Sequence, residues 1–273
     1  MAFYLFCKHF VDSKTAYVFL FLTSISSNLI FWDQSPWAPS LFFISQIILL
    51  TGAYLAIKDK VGYILIALGF IGGFQSHFGI VLSLISVVLY FVFVRPVKID
   101  LKTLLWFLFI LIVGLSPNIL FDLTHNFSNI KKLVDAIKGE GVSYFVSLTK
   151  IINVLNINTT SIIYPKNSNL IDSVITKGIF ALVIVNGISL LRNKEDKKMS
   201  LLLLITGIFP AMLFYIQQGK FSEYYLMMTV PSLLFLVALL IKKIIYTLCC
   251  YCILLMYNNT EVQIISVTIY KYK

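Results

Sequence analysis

The stretch Val61–Val94, "VGYILIALGFIGGFQSHFGIVLSLISVVLYFVFV", consists of two apolar runs separated by one polar turn. It holds no Asp, Glu, Lys or Arg, and Gln75, Ser76 and His77 interrupt it beside the pair Gly72–Gly73. A water-soluble surface helix carries an apolar stripe opposite a charged face. Neither run has such a face, so both read as helices that lie in lipid. The turn between them reads either as a reversal at a membrane surface or as part of a binding site at the membrane–water boundary.

The rest of the chain agrees with the lipid reading. Of 273 residues, 59% are hydrophobic and 12% charged, with a mean hydropathy of +0.90. Soluble domains sit nearer half apolar and a quarter charged. The formal charge of +10 is scattered between apolar segments, which speaks for topology signals and against nucleic acid. Cys7 stands apart from Cys249, Cys250 and Cys252, and no CxxC or Cys/His metal spacing occurs. The start, "MAFYLFCKHFVDSKTAY", lacks the basic–apolar–small pattern of a cleaved signal peptide.

Eight segments are candidate spans: Ala16–Trp32, Ala38–Ile57, Val61–Phe74, Gly79–Val94, Thr103–Phe121, Ile171–Leu191, Met199–Ile216 and Tyr224–Ile241. A ninth, Ile244–Tyr257, is weaker. The expected fold class is therefore all-α, a polytopic membrane bundle of about eight transmembrane helices. Lys8 and Lys14, Lys58 and Lys60, the Arg95–Lys102 loop, the Arg192–Lys198 loop, and Lys242 and Lys243 all fall on one side if the spans alternate. The positive-inside rule makes that side cytoplasmic. The opposite side receives "DQSPW", "QSH", the long Asp122–Leu170 loop and "QQGKFSEYY".

Two helices are expected in the long external loop. In Ser128–Gly139, Ile130, Leu133, Val134 and Ile137 recur at helical spacing, with lysines on the other face. Such a helix suits a bilayer surface. A second run, Ser143–Leu155, places Phe145, Leu148, Ile152 and Leu155 along a stripe, and "NTTSIIYPKNSN" reads as the return loop. The bundle with its loops covers residues 1–243, followed by an atypical tail over 244–273.

Ionisable groups at the rim of a membrane are costly and often functional. On this threading Asp33, Gln34, Gln75, His77, Asp122, His125, Gln217, Gln218, Lys220, Glu223, Tyr224 and Tyr225 converge on the external face from four loops. Carboxylates, imidazoles and a lysine together suit an anionic phosphate-bearing ligand and a hydroxyl acceptor. Plainer readings stand beside this one. Asp33 could cap the following helix, His77 could be a turn residue, Asp122 and His125 could anchor a span end, and Glu223–Tyr225 could belong to an aromatic belt.

"SPNILFDLTHNFSNIKKL" (Ser116–Leu133) resembles a segment of bacterial GT-C membrane glycosyltransferases of the PMT-like and Rgt-like group. In that group a span ends in proline, runs through Phe-Asp/Glu-x-x-His-x-Phe and enters an external surface helix. "GGFQSHFGI" resembles the group's Gln-x-His turn, "DQSPWAPSLFF" its second external loop, and "GKFSEYYLMMTVPSLLFLVALL" its late loop. The resemblance spans roughly Ala16 to Lys243, with degenerate motifs in the family's order.

It implies an inverting transfer of sugar from a polyprenyl-phosphate donor to a glycan, lipid or protein acceptor on the outer face of a bacterial plasma membrane. A divalent metal assists in some members; no protein cofactor is otherwise implied. Carried over, Gln75 and His77 would sit near the phosphate or sugar, and Asp33 would be the second-loop acid and the candidate catalytic residue. Tyr224 and Tyr225 would line the late-loop side, with Asp122, His125, Lys220 and Glu223 as further substrate contacts. The family's first span and its acidic external loop are expected before Ala16, where Asp12 is the sole acid and lies on the lysine side. The resemblance thus leads us to expect a truncated copy, inactive alone unless Asp33 substitutes as base.

A lipid-linked oligosaccharide flippase, an O-antigen ligase-like protein and a non-functional fragment are the competing readings. A flippase is expected to carry mid-membrane charges or an internal repeat. The ligases lean on external arginines, whereas Arg95 and Arg192 fall on the lysine side.

Overall fold

Asp12 and Asp100 show how the chain starts its helices. The Asp12 carboxylate accepts from the Thr15 amide (3.0 Å) and hydroxyl (2.9 Å), and Asp100 accepts from the Thr103 amide (2.9 Å). Each satisfies a donor that the first helical turn leaves without a partner. The computed structural model describes residues 12–26, 39–77, 79–128, 130–131, 134, 148–160, 170–194, 196–216 and 227–249. Among these it is all-helical, with no strand. The elements are α1 (Ser13–Ile25), α2 (Pro39–Leu55), α3 (Val61–Ser76), α4 (Ile80–Phe93), α5 (Leu101–Thr124), α6 (Leu148–Thr160), α7 (Leu170–Leu190), α8 (Lys197–Ile216) and α9 (Met227–Cys249).

The described part of each of the eight apolar segments falls on one of these helices. Two, α5 (24 residues, with an 18-residue stretch of mean hydropathy 2.3) and α9 (23 residues, with one of 2.1), are long and apolar enough to cross a membrane. Leu41–Leu55, Val61–Ser76, Ile80–Phe93 and Val174–Leu190 are shorter apolar helices.

Two expectations are corrected. Ile244 does not begin a separate ninth segment, because α9 continues through Lys242 and Lys243 to Cys249. The boundary expected at residues 243/244 therefore falls inside a helix. That helical end is held by α1: Lys242 bonds Asp12 at 2.6 Å, and the Lys14 ammonium lies 4.8 Å above the Tyr246 ring.

The second correction concerns the run Ser143–Leu155. Its described part, α6, begins at Leu148 and buries Ile151, Val154 and Leu155, whereas Leu148 and Ile152 are exposed. The buried face meets Ala211 of α8, Leu233 of α9 and Phe180 of α7. One face of this helix packs on protein, and neighbours rather than spacing chose that face. Of the helix expected over Ser128–Gly139, Ser128, Ile130, Lys131 and Val134 are described and helical.

The tightest packing is between α2 and α3. They run antiparallel, and a Cβ on Gly52 would lie 2.5 Å from the Ile66 amide and 2.7 Å from the Gly62 carbonyl. On Gly69 it would lie 2.5 Å from the Leu49 amide and 2.7 Å from the Ser45 carbonyl. The glycines let the two backbones touch.

α4 runs parallel to α2 and turns Ile80, Ser83, Val87, Tyr90 and Val94 inward. These pack with Phe42, Leu49, Leu50 and Ala53 of α2 and Leu202 of α8. The first half of α9, Met228 to Ala238, is buried around most of its circumference. It joins α1 through the Phe19–Phe235 ring contact (5.1 Å) and α8 through the Thr206–Ser232 hydroxyl pair (2.7 Å). A helix apolar all round belongs at the centre of a bundle.

Within the α2–α4 core Gln46 is fully buried, and among the described residues neither polar atom of its carboxamide has a partner. Such a group costs about 1–3 kcal/mol in a folded protein. Gln46→Met keeps the shape and removes the polar atoms. It is expected to raise the midpoint of denaturant-induced unfolding in detergent, by about 1–3 kcal/mol. A drop of that size would show that the carboxamide bonds something other than the chain.

Candidate functional site

α3 and α5 run side by side in the same direction. Lys60 meets Asp100 at their starts (2.8 Å), the Tyr63 hydroxyl donates to the Val97 carbonyl (2.6 Å), and the Gln75 amide donates to the Gly114 carbonyl (2.7 Å). Their C-terminal ends, carrying Gln75 and His77 on one side and Asp122 and His125 on the other, therefore lie toward the same end of the bundle.

The Gln75 contact lies next to the proline turn of α5, at Pro117. This proline has no N–H for the carbonyl four residues back, Val113, and the Ser116 hydroxyl serves that oxygen instead (2.7 Å). One residue on, Gly114 lets α5 approach so closely that a Cβ would strike Ile71, and its carbonyl takes the Gln75 amide. Gln75 thus fastens α3 to the proline turn of α5. Its side chain was expected among the substrate contacts; its observed partner is the backbone of α5.

Gly114, Asn118 and Asp122 follow at intervals of four and form one stripe on α5. Asn118 has a buried Nδ2 without a partner among the described residues, and Asp122 is the one buried residue of α5. Asn118 was overlooked in the sequence, although its spacing from Asp122 is the signal that would have found it. His125 lies off this stripe. It caps α5 and folds back on its own helix: its ring stacks on Phe121 (centroids 4.0 Å apart), and Nδ1 sits 2.9 Å from both the Phe121 carbonyl and the Thr124 hydroxyl. Its exposed ring plays the helix-end role that was its plainer reading. Asn126 (φ 53°) and Phe127 (φ 58°) then turn the chain in the left-handed region, where the Phe127 amide bonds the Asp122 carbonyl (2.7 Å).

His77 is half-buried where α3 ends. Its Nδ1 accepts the Gly79 amide (2.8 Å), its ring meets Phe42 edge-on (5.9 Å), and Met228 of α9 closes on Gly79. Because Nδ1 accepts, the proton of the neutral ring is on Nε2. Burial pushes the imidazole below its ordinary value of 6.5, so it is a neutral donor at pH 7. His77 is therefore both the turn residue of the plainer reading and an N–H donor.

Asp33, Lys220, Glu223, Tyr224 and Tyr225, with Gln34, Gln217 and Gln218, lie outside the described residues. Among the described residues no three His, Cys, Asp or Glu side chains gather as a metal site requires. Comparison with family models, curated proteins and solved structures gives no match. At this end of the bundle α5 therefore carries the stripe of Asn118 and Asp122, and the end of α3 carries a neutral imidazole packed on Phe42.

Proposed function

We propose that the chain is a multi-pass membrane protein that binds a polyprenyl-phosphate-linked sugar at the end of the bundle carrying His77 and Asp122, a glycosyltransferase of the GT-C type. One observation supports the membrane part above all. α5 is long and apolar enough to cross a membrane, yet its most hydropathic window is 0% buried, with Leu105, Trp106, Phe109, Ile112, Val113 and Leu120 exposed. The core helix of a soluble protein would be buried. A patch of this size in water would be far beyond what soluble monomers tolerate.

The sugar-phosphate part rests on the sequence resemblance and on the donors at that end. A phosphate leaving a sugar gains negative charge, and a fixed neutral N–H such as His77 Nε2 stabilises it without first giving up its own charge. The Asn118 amide adds a second donor. In this reading Asp33 is the base that takes the acceptor's proton. Bulk membrane lipids solvate α5 and the outer faces of the other helices.

The topology is tested with native cysteines replaced and single cysteines placed at Ser35, Thr124, Asp59 and Lys194. An impermeant thiol reagent added outside intact cells is expected to label the first two and spare the last two. Labelling of Asp59 and Lys194 instead would overturn the threading. Ligand class is tested with a photoreactive polyprenyl-phosphate sugar in vesicles. Crosslinks are expected on α3–α5 peptides near His77 and are competed by unlabelled donor. Crosslinks indifferent to competitor would sink the donor assignment.

A further inference from the structure

At the opposite end, the starts of α3 and α5 frame a groove of about 440 Å³. Lys60, Lys102 and Thr103 line its mouth, and Ile64, Trp106 and Ile110 continue it along the helices. Lys102, Trp106 and Ile110 recur every four residues, so the groove follows one face of α5, from charge to indole to aliphatic wall. The Trp106 ring is braced edge-on by Phe109 (5.7 Å). We infer that this groove holds an anionic diacyl phospholipid of the leaflet on the lysine side, its phosphate at Lys60 and Lys102 and an acyl chain along Trp106 and Ile110.

Charge complementarity commits the site to an anionic headgroup. The two adjoining loops carry Lys58, Lys60, Arg95, Lys98 and Lys102 against Asp59 and Asp100. Asp100 is the local competitor: it holds Lys60 at 2.8 Å while capping α5 through Thr103. The Lys60 and Thr103 hydrogen bonds also hold its carboxyl well below the usual carboxylate range, so it competes as a full negative charge. Lys60 keeps two further N–H groups for a phosphate. The apolar floor commits the site to a lipid, because a free anion would gain nothing from Ile64, Trp106 and Ile110. Basic pockets between membrane helices take anionic headgroups in this way. The site rests on the membrane reading above but lies away from the His77 end.

The test uses Trp32→Phe/Trp37→Phe chain in phosphatidylcholine vesicles, with Trp106 as the sole reporter. Acyl-brominated phosphatidylglycerol is compared with acyl-brominated phosphatidylcholine as quencher. Phosphatidylglycerol is expected to quench with a relative association constant roughly ten-fold higher, each lysine contributing up to about five-fold. Lys60→Gln/Lys102→Gln should bring the ratio to about one. Asp100→Asn keeps the helix cap and releases Lys60, so it should raise the ratio a few-fold. Equal quenching by the two lipids in the unsubstituted groove would overturn the site and leave the membrane reading standing. Absence of quenching by either would overturn the membrane reading itself. Relief of quenching by millimolar inorganic phosphate at constant ionic strength would make a free anion the ligand and refute the lipid.

Discussion

Gly62→Val is expected to separate α2 from α3 and to cost at least ~3 kcal/mol, the upper end of what overpacking a core costs. A Cβ on Gly62 meets the Ala56 amide, with the Gly52 carbonyl at 2.5 Å and the Ala56 Cα at 2.6 Å. All three obstacles are backbone, which cannot rotate aside as a side chain would. Relief comes only by moving a whole helix, which would also disturb the neighbouring Gly52 and Gly69 contacts. Gly178 in α7 supplies the contrast: a Cβ there meets nothing within 4 Å. Gly178→Ala should be neutral or stabilising by up to ~1 kcal/mol, since alanine is the better helix former. The measurement is the denaturation midpoint of each variant in the same detergent. If both variants melted with the parent, the backbone contact between α2 and α3 would be refuted.

The second large effect separates the two jobs of His77. Its Nδ1 receives the Gly79 amide, a geometry that an asparagine side chain reproduces by accepting from the amide two residues on. His77→Asn should therefore hold the α3–α4 turn to within ~0.5 kcal/mol, a change typical of substitutions that keep the local interactions. His77→Leu leaves that amide unsatisfied and should cost about 1–3 kcal/mol. Both lose the imidazole donor, so both should weaken binding of the polyprenyl-phosphate sugar by about ten- to a hundred-fold, the worth of one hydrogen bond to a charged group. Donor binding unchanged in His77→Asn would leave His77 with the turn alone.

The pH dependence has a fixed sign. The folded imidazole titrates below its ordinary 6.5, so the unfolded chain binds the proton more readily. The stability due to His77 is complete above about pH 6.5 and is lost as pH falls below it. In His77→Asn that acid-side loss should disappear from the denaturation midpoints.

Helix existence was legible in the chain because it is a local matter. Apolar runs with few or no charges, broken by glycine, proline and polar clusters, locate the described part of each of the eight segments on a helix. The caps at Asp12 and Asp100, by contrast, came from the structure. The charges are distributed to suit alternating spans. Facing was not legible. An apolar helix offers no polar side from which to deduce its partner, so the buried face of α6 and the central place of α9 were chosen by packing. Hydrogen bonds between distant residues escaped as well: Gln75 to Gly114 depends on how closely α5 approaches α3 at Gly114. Lys60 and Lys102 were legible as topology charges, but only the parallel seating of α3 and α5 makes them the mouth of one groove. The sequence by itself determined an apolar, all-helical chain and where most of its helices begin, because those follow from neighbours along the backbone. Which side chains meet was decided by the tertiary structure, because contact between helices depends on shape matched across residues far apart in the chain, as where Gly52 and Gly62 admit another backbone.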